Sequence, residues 1–438
     1  MEGVAAMGKN RRHRAAAQRA RAGGGPADPA LIEAATAEQI EYAILAGAME
    51  SARGNPRAAQ HFATELAGRG PLTPELERGV DLAARHLITE TYKNGWLPGD
   101  IHQAALRHVD EFAVGYLIDT IAAHIEQFAP ETVDATWVSQ LTEMGAARWW
   151  SPEAPHLGQW AGKQLLIPAE ALTTVIEALA LLFRFPELAL IRPLPGTAQP
   201  PTAPHRAVDE KVLGRVRGLL AKAESTDFPD EAETLSAKAQ ELMTKYAIDR
   251  ALIDAETSAP DLPGARRLWL QTPYVDAKAL LVDAVAEANR CRAIFFAEWG
   301  FVTIVGDEGD LDVVELLTTS LLVQATRAMI ASGSDTGRDS HSRSRSFRKS
   351  FLIAYATRIG ERLSRINEDT IAKSAEPERL LPVLASHQLK VDDAFDALFP
   401  TVAAARVSAG SAAGWAAGRE AADRAQLVAR RPVGKQRG

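Results

Sequence analysis

The order of apolar and polar positions predicts helices over residues 30–192. In the segment 31–53, apolar side chains recur at helical spacing, at Ile40, Ile44, Leu45 and Met49. A longer helix is expected from Asp100 to about Phe128, with a wide apolar stripe formed by Leu106, Val109, Phe112, Ala113, Tyr116, Leu117, Thr120 and Ile121. Four of the eight tryptophans lie between Trp137 and Trp160, a density that is typical of a core or an interface.

Two linkers divide the rest of the chain. Residues 193–204 contain five prolines, which predicts a semi-rigid linker over 193–208, and a second linker is expected over 255–264. Between them, residues 209–254 carry two amphipathic helical patterns. The apolar face of the first comprises Val212, Val216, Leu219, Leu220 and Ala223. The second has Ala232, Leu235, Ala239, Leu242 and Tyr246, so an antiparallel helical hairpin is predicted.

The pattern over residues 265–427 predicts an α+β domain. Two β-rich runs, 291–296 and 301–305, are expected to form a β-hairpin. The other expected elements are a strand at 268–271, helices over 277–289, about 310–331 and about 347–371, and a basic loop at 333–346. Near the end of the chain, an alanine-rich helix has a small-residue face that permits close approach to a neighbour, formed by Gly410, Gly414 and Gly418.

The expected fold is mainly α with an α+β C-terminal domain. It consists of a helical N-terminal domain, a central helical hairpin, and a small antiparallel sheet packed by long helices. The expected order along the chain is a basic flexible arm at 1–29, the helical domain at 30–192, a linker at 193–208, the hairpin at 209–254, a linker at 255–264, the α+β domain at 265–427 and a basic tail at 428–438.

The hairpin segment resembles a known family. The residues that carry the resemblance are KVLGRVRGLLAKAEST at 211–226, a proline and acids at 229–233, and AETLSAKAQELMTKYAID at 232–249. Together they resemble the domain-of-unknown-function family 2786 (DUF2786). The region after it resembles the domain that often follows in that family, with a hairpin ending in Gly306 and a helix that opens FRKSF at 347–351. The resemblance implies no established activity.

Composition excludes several classes of protein. The single cysteine, Cys291, excludes an internal disulfide, a CxxC redox pair and a cysteine-clustered zinc site. Its flanking arginines would lower the pKa of the thiol, but a lone cysteine beside a buried strand is more often a core residue. No apolar run approaches the ~20 residues of a membrane helix, and no secretory signal is present. A cytoplasmic protein with no membrane partner is therefore expected.

Positive charge is concentrated in three segments, although the net charge is −7. Residues 1–25, 338–349 and 428–438 hold 15 of the 49 basic side chains and 2 of the 56 acidic ones, which leaves 34 basic and 54 acidic side chains elsewhere. Basic segments of this kind bind polyanions such as nucleic acid, because each neutralised phosphate releases counterions. The alternatives are that they fold back on the acidic body or only solvate the chain ends.

The candidate nucleic-acid-binding residues lie in two places. One face of the first hairpin helix carries Lys211, Arg215 and Lys222. The arginine–serine loop and the start of the next helix add Arg338, Arg343, Arg345, Arg348 and Lys349. Arginines in a flexible loop contact phosphates and stack on RNA bases. The alternative is a solvated connection between two long helices.

A metal-dependent alternative rests on a cluster of acids where a strand gives way to a helix. The cluster comprises Asp307, Glu308, Asp310, Asp312 and Glu315. Its carboxylates, above all Asp307, Asp310 and Asp312, would bind Mg²⁺ or Ca²⁺ and act on phosphodiesters. The more common explanation is that acids in a first helical turn stabilise the helix dipole. The sequence otherwise predicts no metal site and no cofactor, because it contains neither H-E-x-x-H nor a phosphate-binding glycine motif.

The sequence contains no catalytic constellation, which favours a binding protein over an enzyme. The leading hypothesis is a cytoplasmic protein whose basic arms and loop bind nucleic acid and whose Trp137–Trp160 region binds protein. One alternative is a metal-dependent phosphodiesterase or nuclease that uses the turn at 307–315. The other is a structural assembly factor held together through the tryptophan region and the glycine-faced helix.

Overall fold

The computed structural model describes residues 35–55, 57–68, 70–198, 263–335, 344–373, 377–401 and 408–425, with isolated positions between 214 and 242. The chain divides into two compact units, Met1–Glu187 and Leu188–Gly438. The described part of the first unit is helical, and that of the second combines helices with a three-stranded antiparallel sheet. This confirms the predicted fold class.

The first unit contains a series of helices. They are α1 (Ala37–Ala52), α2 (Ala58–Ala67), α3 (Pro74–Lys93), α4 (Pro98–His108), α5 (Glu111–Ile125), α6 (Ala135–Glu143), α7 (His156–Gln164) and α8 (Pro168–Phe183), with a 3₁₀ turn at Pro130–Thr132. Side-chain caps fix where helices begin: Thr36 accepts from the backbone N–H of Gln39, and Thr73 from that of Leu76.

The prediction of one helix from 100 to about 128 was wrong, because two helices occupy this stretch. α4 ends at His108, and Asp110 accepts the N–H of Ala113 at 2.8 Å as the N-cap of α5. An aspartate cap starts a new helix because it satisfies a free N–H of the first turn. Leu106, assigned to the buried stripe, is 55% exposed.

Aromatic side chains fill the core of the first unit. The largest of its fully buried side chains are Trp96, Trp137, Trp160, Tyr92 and Tyr116. Trp96 stacks on Phe185 with the ring centroids 3.7 Å apart, and its Nε1 donates to the carbonyl of Pro186 at 2.9 Å. The tryptophans of this unit are therefore mainly core residues, although Trp149 is 40% exposed.

The second unit places its sheet between helices. Its elements are β1 (Gly264–Trp269), α9 (Val275–Ala288), β2 (Arg292–Phe296), β3 (Phe301–Gly306), α10 (Glu308–Asp335), α11 (Arg345–Ala372), α12 (Pro377–Leu398) and α13 (Ala412–Arg424). The antiparallel strand order is β1-β3-β2. The predicted hairpin of β2 and β3 is confirmed, and β1 starts earlier than the strand expected at 268–271.

Helices cover both faces of this sheet. Val302 and Ile304 of β3 pack on one side in the core that includes α9, α10 and α11. On the other side, Val305 packs with Val391 and Phe395 of α12. The sequence pattern did not predict α12. A proline within it, Pro382, weakens the helical signal because proline lacks the N–H of a helix interior.

α10 is long and apolar enough to cross a membrane by length and composition alone, over Glu308–Ser332. The expectation that no run approaches this length was wrong. The search covers only the described residues. The core of the unit accounts for this composition, because α10 buries Leu311, Val314, Leu317, Leu321 and Ala325. Core helices pass the same test, so α10 is weak evidence for a membrane span.

Two parts of the second unit bear on the predicted domain boundaries. The segment from Leu188 onward belongs to this unit, and Arg267 donates to the carbonyl of Ala189 at 3.0 Å. The arms at 1–29 and 428–438, both linkers and most of the hairpin lie wholly or largely outside the described residues. At the hairpin positions that are described, Val216 is buried in the core of the second unit.

Candidate functional site

Basic side chains close the acidic turn between β3 and α10. Nη1 of Arg266, on β1, donates to Asp312 and to Glu315, both at 2.7 Å. Glu308 accepts from Arg192 at 2.6 Å and from Arg266 at 3.3 Å. Burial acts to lower the pKa of Arg266, but Asp312 and Glu315 together raise it above its ordinary value. This guanidinium is therefore the centre of a fixed ion-pair network.

The remaining acids of the turn are also paired. Nη2 of Arg290 donates to Oδ1 of Asp310 at 2.7 Å, and these side chains are only 20% and 14% exposed. Burial acts to lower the pKa of Arg290, but the charge and hydrogen bond of Asp310 raise it overall. Asp307 lies 3.1 Å from Nδ1 of His387 on α12. Each carboxylate of the turn thus faces a basic side chain.

This geometry gives the metal-dependent alternative no supporting observation. A metal ion would have to displace an arginine or histidine to reach Asp307, Asp310 or Asp312. Within the described ranges, no three His, Cys, Asp or Glu side chains are grouped to hold a metal ion. The phosphodiesterase hypothesis stays a prediction, and the pairs themselves explain why so many acids occur at this junction.

Cys291 is a core residue in this structure. It is 3% exposed, and its Sγ lies 3.4 Å from the carbonyl oxygen of Asn289. Burial, followed by the charge of Asp310, raises the pKa of the thiol well above its ordinary value, and this outweighs the opposing effect of Arg290. Since the thiolate is the reactive form, this environment does not activate the sulfur.

The candidate nucleic-acid-binding residues on α11 differ in their partners. Arg345 is exposed and Arg348 half-buried in the first turn. Among the described residues, no carboxylate forms an ion pair with either of them. Lys349, one position further on, binds Asp276 of α9 at 2.5 Å. The structure therefore separates one fixed cation from two cations without a carboxylate partner.

The hairpin contributes two of the candidates that the structure describes. Arg215 and Lys222 are both exposed, whereas Val216 beside Arg215 is fully buried. The predicted division of this helix into a basic and an apolar face agrees with these positions. The other candidates, Lys211, Arg338 and Arg343, lie outside the described residues.

A pocket of about 710 Å³ lies in the first unit, between α3, α5 and the segment 148–156. Sequence analysis did not identify it. Its lining includes Glu77, Asp81, Tyr116, His124, Trp150 and His156. Three arginines at the pocket each bind a carboxylate, in the pairs Arg78–Glu75, Arg85–Asp81 and Arg148–Glu126.

A buried aspartate anchors the segment that covers this pocket. Asp119 of α5 accepts from Trp149 Nε1 at 3.0 and 2.9 Å and lies 2.8 Å from His156 Nε2. His156 in turn packs against Trp150, with ring centroids 4.3 Å apart. Because these contacts join α5 to residues 30 and 37 positions later, they hold one wall of the pocket in place.

The tautomer of His124 follows from its neighbours. Thr89 donates its hydroxyl proton to the carbonyl of Arg85 at 2.7 Å, so at His124 its oxygen acts as the acceptor. His124 Nε2, 2.9 Å away, is then the protonated nitrogen. Nδ1 is left as a buried acceptor with no partner. Burial, followed by the charge of Arg85, lowers the pKa of His124 to about 4, so the ring is neutral.

The low pKa of His124 predicts a loss of stability in acid. The unfolded chain binds this proton below the ordinary pKa of 6.5, but the folded chain binds it only near 4. The first unit should therefore lose about 1 kcal/mol per pH unit between these values as pH falls. Chemical denaturation at pH 7 and pH 5 measures this, and His124→Gln should reduce the pH dependence. An unchanged dependence in the variant contradicts the assignment.

The sequence offered only indirect signals for this pocket. Glu77, Asp81 and Arg85 recur at helical spacing on α3, but the same spacing is typical of a solvated helix face. The Trp149–Trp150 pair marked an aromatic-rich segment. The signals gave no indication that residues 148–156 cover α3 and α5.

The described fold and sites define a two-unit protein, with a helical unit that contains a polar pocket and an α+β unit with an ion-paired acidic turn. Residues 211–250 match a family model described as "Protein of unknown function (DUF2786)". The match confirms the resemblance of the hairpin segment and does not extend to the domain after it. No curated protein and no solved structure matches the chain.

Proposed function

We propose that the protein binds nucleic acid through basic side chains of its second unit and its basic segments. One observation carries the proposal: two sets of arginines in this unit are used differently. Arg266 and Arg290 neutralise the acidic turn. Arg345 and Arg348 form no ion pair with a described residue.

The pairing of the acidic turn removes one competing partner for the basic segments. Its carboxylates are already bound by arginine or histidine, so they attract further cations less strongly. An arginine without a carboxylate partner is available to neutralise a phosphate, and the release of counterions supplies the favourable free energy. Arg215, exposed on the same unit, is a further candidate contact.

Lys349 is expected to contribute less than the two arginines. Its ion pair with Asp276 joins side chains that are 37% and 36% exposed. A phosphate would have to compete with this carboxylate for the ammonium group. The proposal accordingly assigns the main contacts on α11 to Arg345 and Arg348.

The double variant Arg345→Ala/Arg348→Ala tests these contacts. Each phosphate contact that is lost should reduce the slope of log affinity against log salt by about 0.9 for duplex DNA and about 0.7 for a single strand. Filter binding of the full chain to duplex DNA and to single-stranded RNA, from low to physiological salt, measures both slopes. We expect weaker binding and a shallower slope for the variant.

Arg424→Ala is the matched control. Arg424 is an exposed cation on α13, but it is paired with Glu420 at 2.7 Å, so its removal should leave the slope unchanged. Binding that does not respond to salt would contradict the proposal. A double variant that binds like the wild type would reject these two contacts.

The proposal is of a non-enzymatic, cytoplasmic protein. The phosphodiesterase and assembly-factor hypotheses remain predictions, because no observation favours either. The glycine face invoked for assembly is occupied within the chain, since Gly414 and Gly418 pack against α11.

A further inference from the structure

We propose that the pocket of the first unit binds an organic cation carrying a guanidinium or ammonium group. The proposal is independent of nucleic-acid binding, because it concerns the other unit. It rests on the groups at the pocket that have no partner among the described residues. Two are carboxylates and one is a buried imidazole nitrogen, and all of them are hydrogen-bond acceptors.

The unpaired charges at the pocket are negative. Its three arginines are each paired with a carboxylate, as described above. Glu77 and Glu153 line the pocket and have no cationic partner in the described part of the chain. Burial raises the pKa of Glu77, although the backbone N–H of Gly158 opposes this shift. A ligand cation would supply the missing counter-charge to these carboxylates.

The buried imidazole is an independent observation. His124 lines the pocket and is 6% exposed, and its Nδ1 is an acceptor without a partner. Such an atom carries a desolvation cost unless a donor meets it. Thr120, also in the lining, gives its hydroxyl proton to the carbonyl of Tyr116 at 2.9 Å. Its oxygen therefore retains only acceptor capacity for a ligand.

A set of acceptors selects a ligand that is rich in donors. A guanidinium presents five N–H groups and an ammonium three, and neither has an acceptor that would face these lone pairs. The pocket, at about 710 Å³, has room for such a group together with its aliphatic stem. The wall already accommodates one guanidinium, because Arg148 lies over the ring of Trp150 at 5.3 Å from its centroid.

The probes are L-argininamide and L-lysinamide, with L-citrullinamide as a neutral analogue of similar shape. Calorimetry and tryptophan fluorescence on the full chain measure binding. We expect the cationic amides to bind and Glu77→Gln to weaken them about tenfold or more. Glu153→Gln is a second variant, at an exposed position outside the helices. Glu75→Gln is the control, because Glu75 is on the same helix and pairs with Arg78.

An acetyl-Gly-Arg-Gly-amide peptide distinguishes the sources of the cation. If free amides and peptide both bind, the cationic group alone is recognised; if only the peptide binds, the ligand is a side chain of a polypeptide. Either result supports the proposal when citrullinamide binds less tightly. Equal affinity for citrullinamide overturns it, as does no binding at millimolar concentration. Wild-type affinity in folded Glu77→Gln and Glu153→Gln also overturns it.

Discussion

Asp310→Asn should destabilise the second unit by about 3 kcal/mol. The substitution leaves the guanidinium of Arg290 largely buried without the carboxylate that it contacts at 2.7 Å. Breaking a buried ion pair costs this much because the remaining charge is poorly solvated. Urea denaturation of the full chain, followed by far-UV circular dichroism, measures the loss.

Asp312→Asn is the matched comparison at the same turn. Its partner Arg266 keeps two other carboxylates, Glu315 at 2.7 Å and Glu308 at 3.3 Å. The expected loss is therefore below about 1 kcal/mol, as for a partly exposed pair. Similar losses in the two variants would show that the network does not distribute charge as the distances imply.

This difference decides how the phosphodiesterase hypothesis is tested. A loss of cleavage in Asp310→Asn would be ambiguous, because the variant is expected to lose stability as well. Asp312→Asn removes a carboxylate of the same cluster and leaves Arg266 paired. Cleavage that disappears in Asp312→Asn with stability unchanged would support the hypothesis.

Local patterns predicted the elements that depend on neighbouring residues. The β-rich runs at 291–296 and 301–305 gave the hairpin, because alternating burial and a tight connection are both visible over a few positions. Val302 and Ile304 illustrate the alternation, as both point into the main core. The long helices α10 and α11 were predicted for the same reason, from apolar residues at helical spacing.

Elements that depend on one particular side chain were missed. Asp110 divides the stretch at 100–128 by capping α5, although the apolar stripe continues across the break. The apolar residues of α12, among them Val391 and Phe395, acquire a role only because the sheet has a second face to cover. Periodicity alone does not show how many faces of a sheet need a helix.

The candidate sites were the least predictable part because they depend on tertiary contacts. Charge counting found the acidic turn, but the partner Arg266 lies 46 positions before Asp312. The pocket brings Glu77 next to His156, which belongs to another helix and lies far along the chain. No sequence pattern over a few residues contains this information.

Gly418→Ala should destabilise the second unit by about 3 kcal/mol. A Cβ atom at this position would overlap the carbonyl group of Phe351 on α11, and one at Gly414 would overlap that of Phe347. Because the obstruction is backbone, the two helices have to separate and lose the packing between them. Thermal and urea denaturation of the full chain measure the effect, which we also expect for Gly414→Ala.

Gly115→Ala provides the control for the change in backbone freedom. Gly115 lies within α5, and a Cβ atom there would meet no atom within 4 Å. Alanine is better than glycine by roughly 0.5–1 kcal/mol in a helix interior, so this variant should be slightly more stable than the wild type. If Gly418→Ala were also neutral or stabilising, the close approach of α13 to α11 would not limit stability. The glycine face would then be open to the intermolecular role that the sequence allowed.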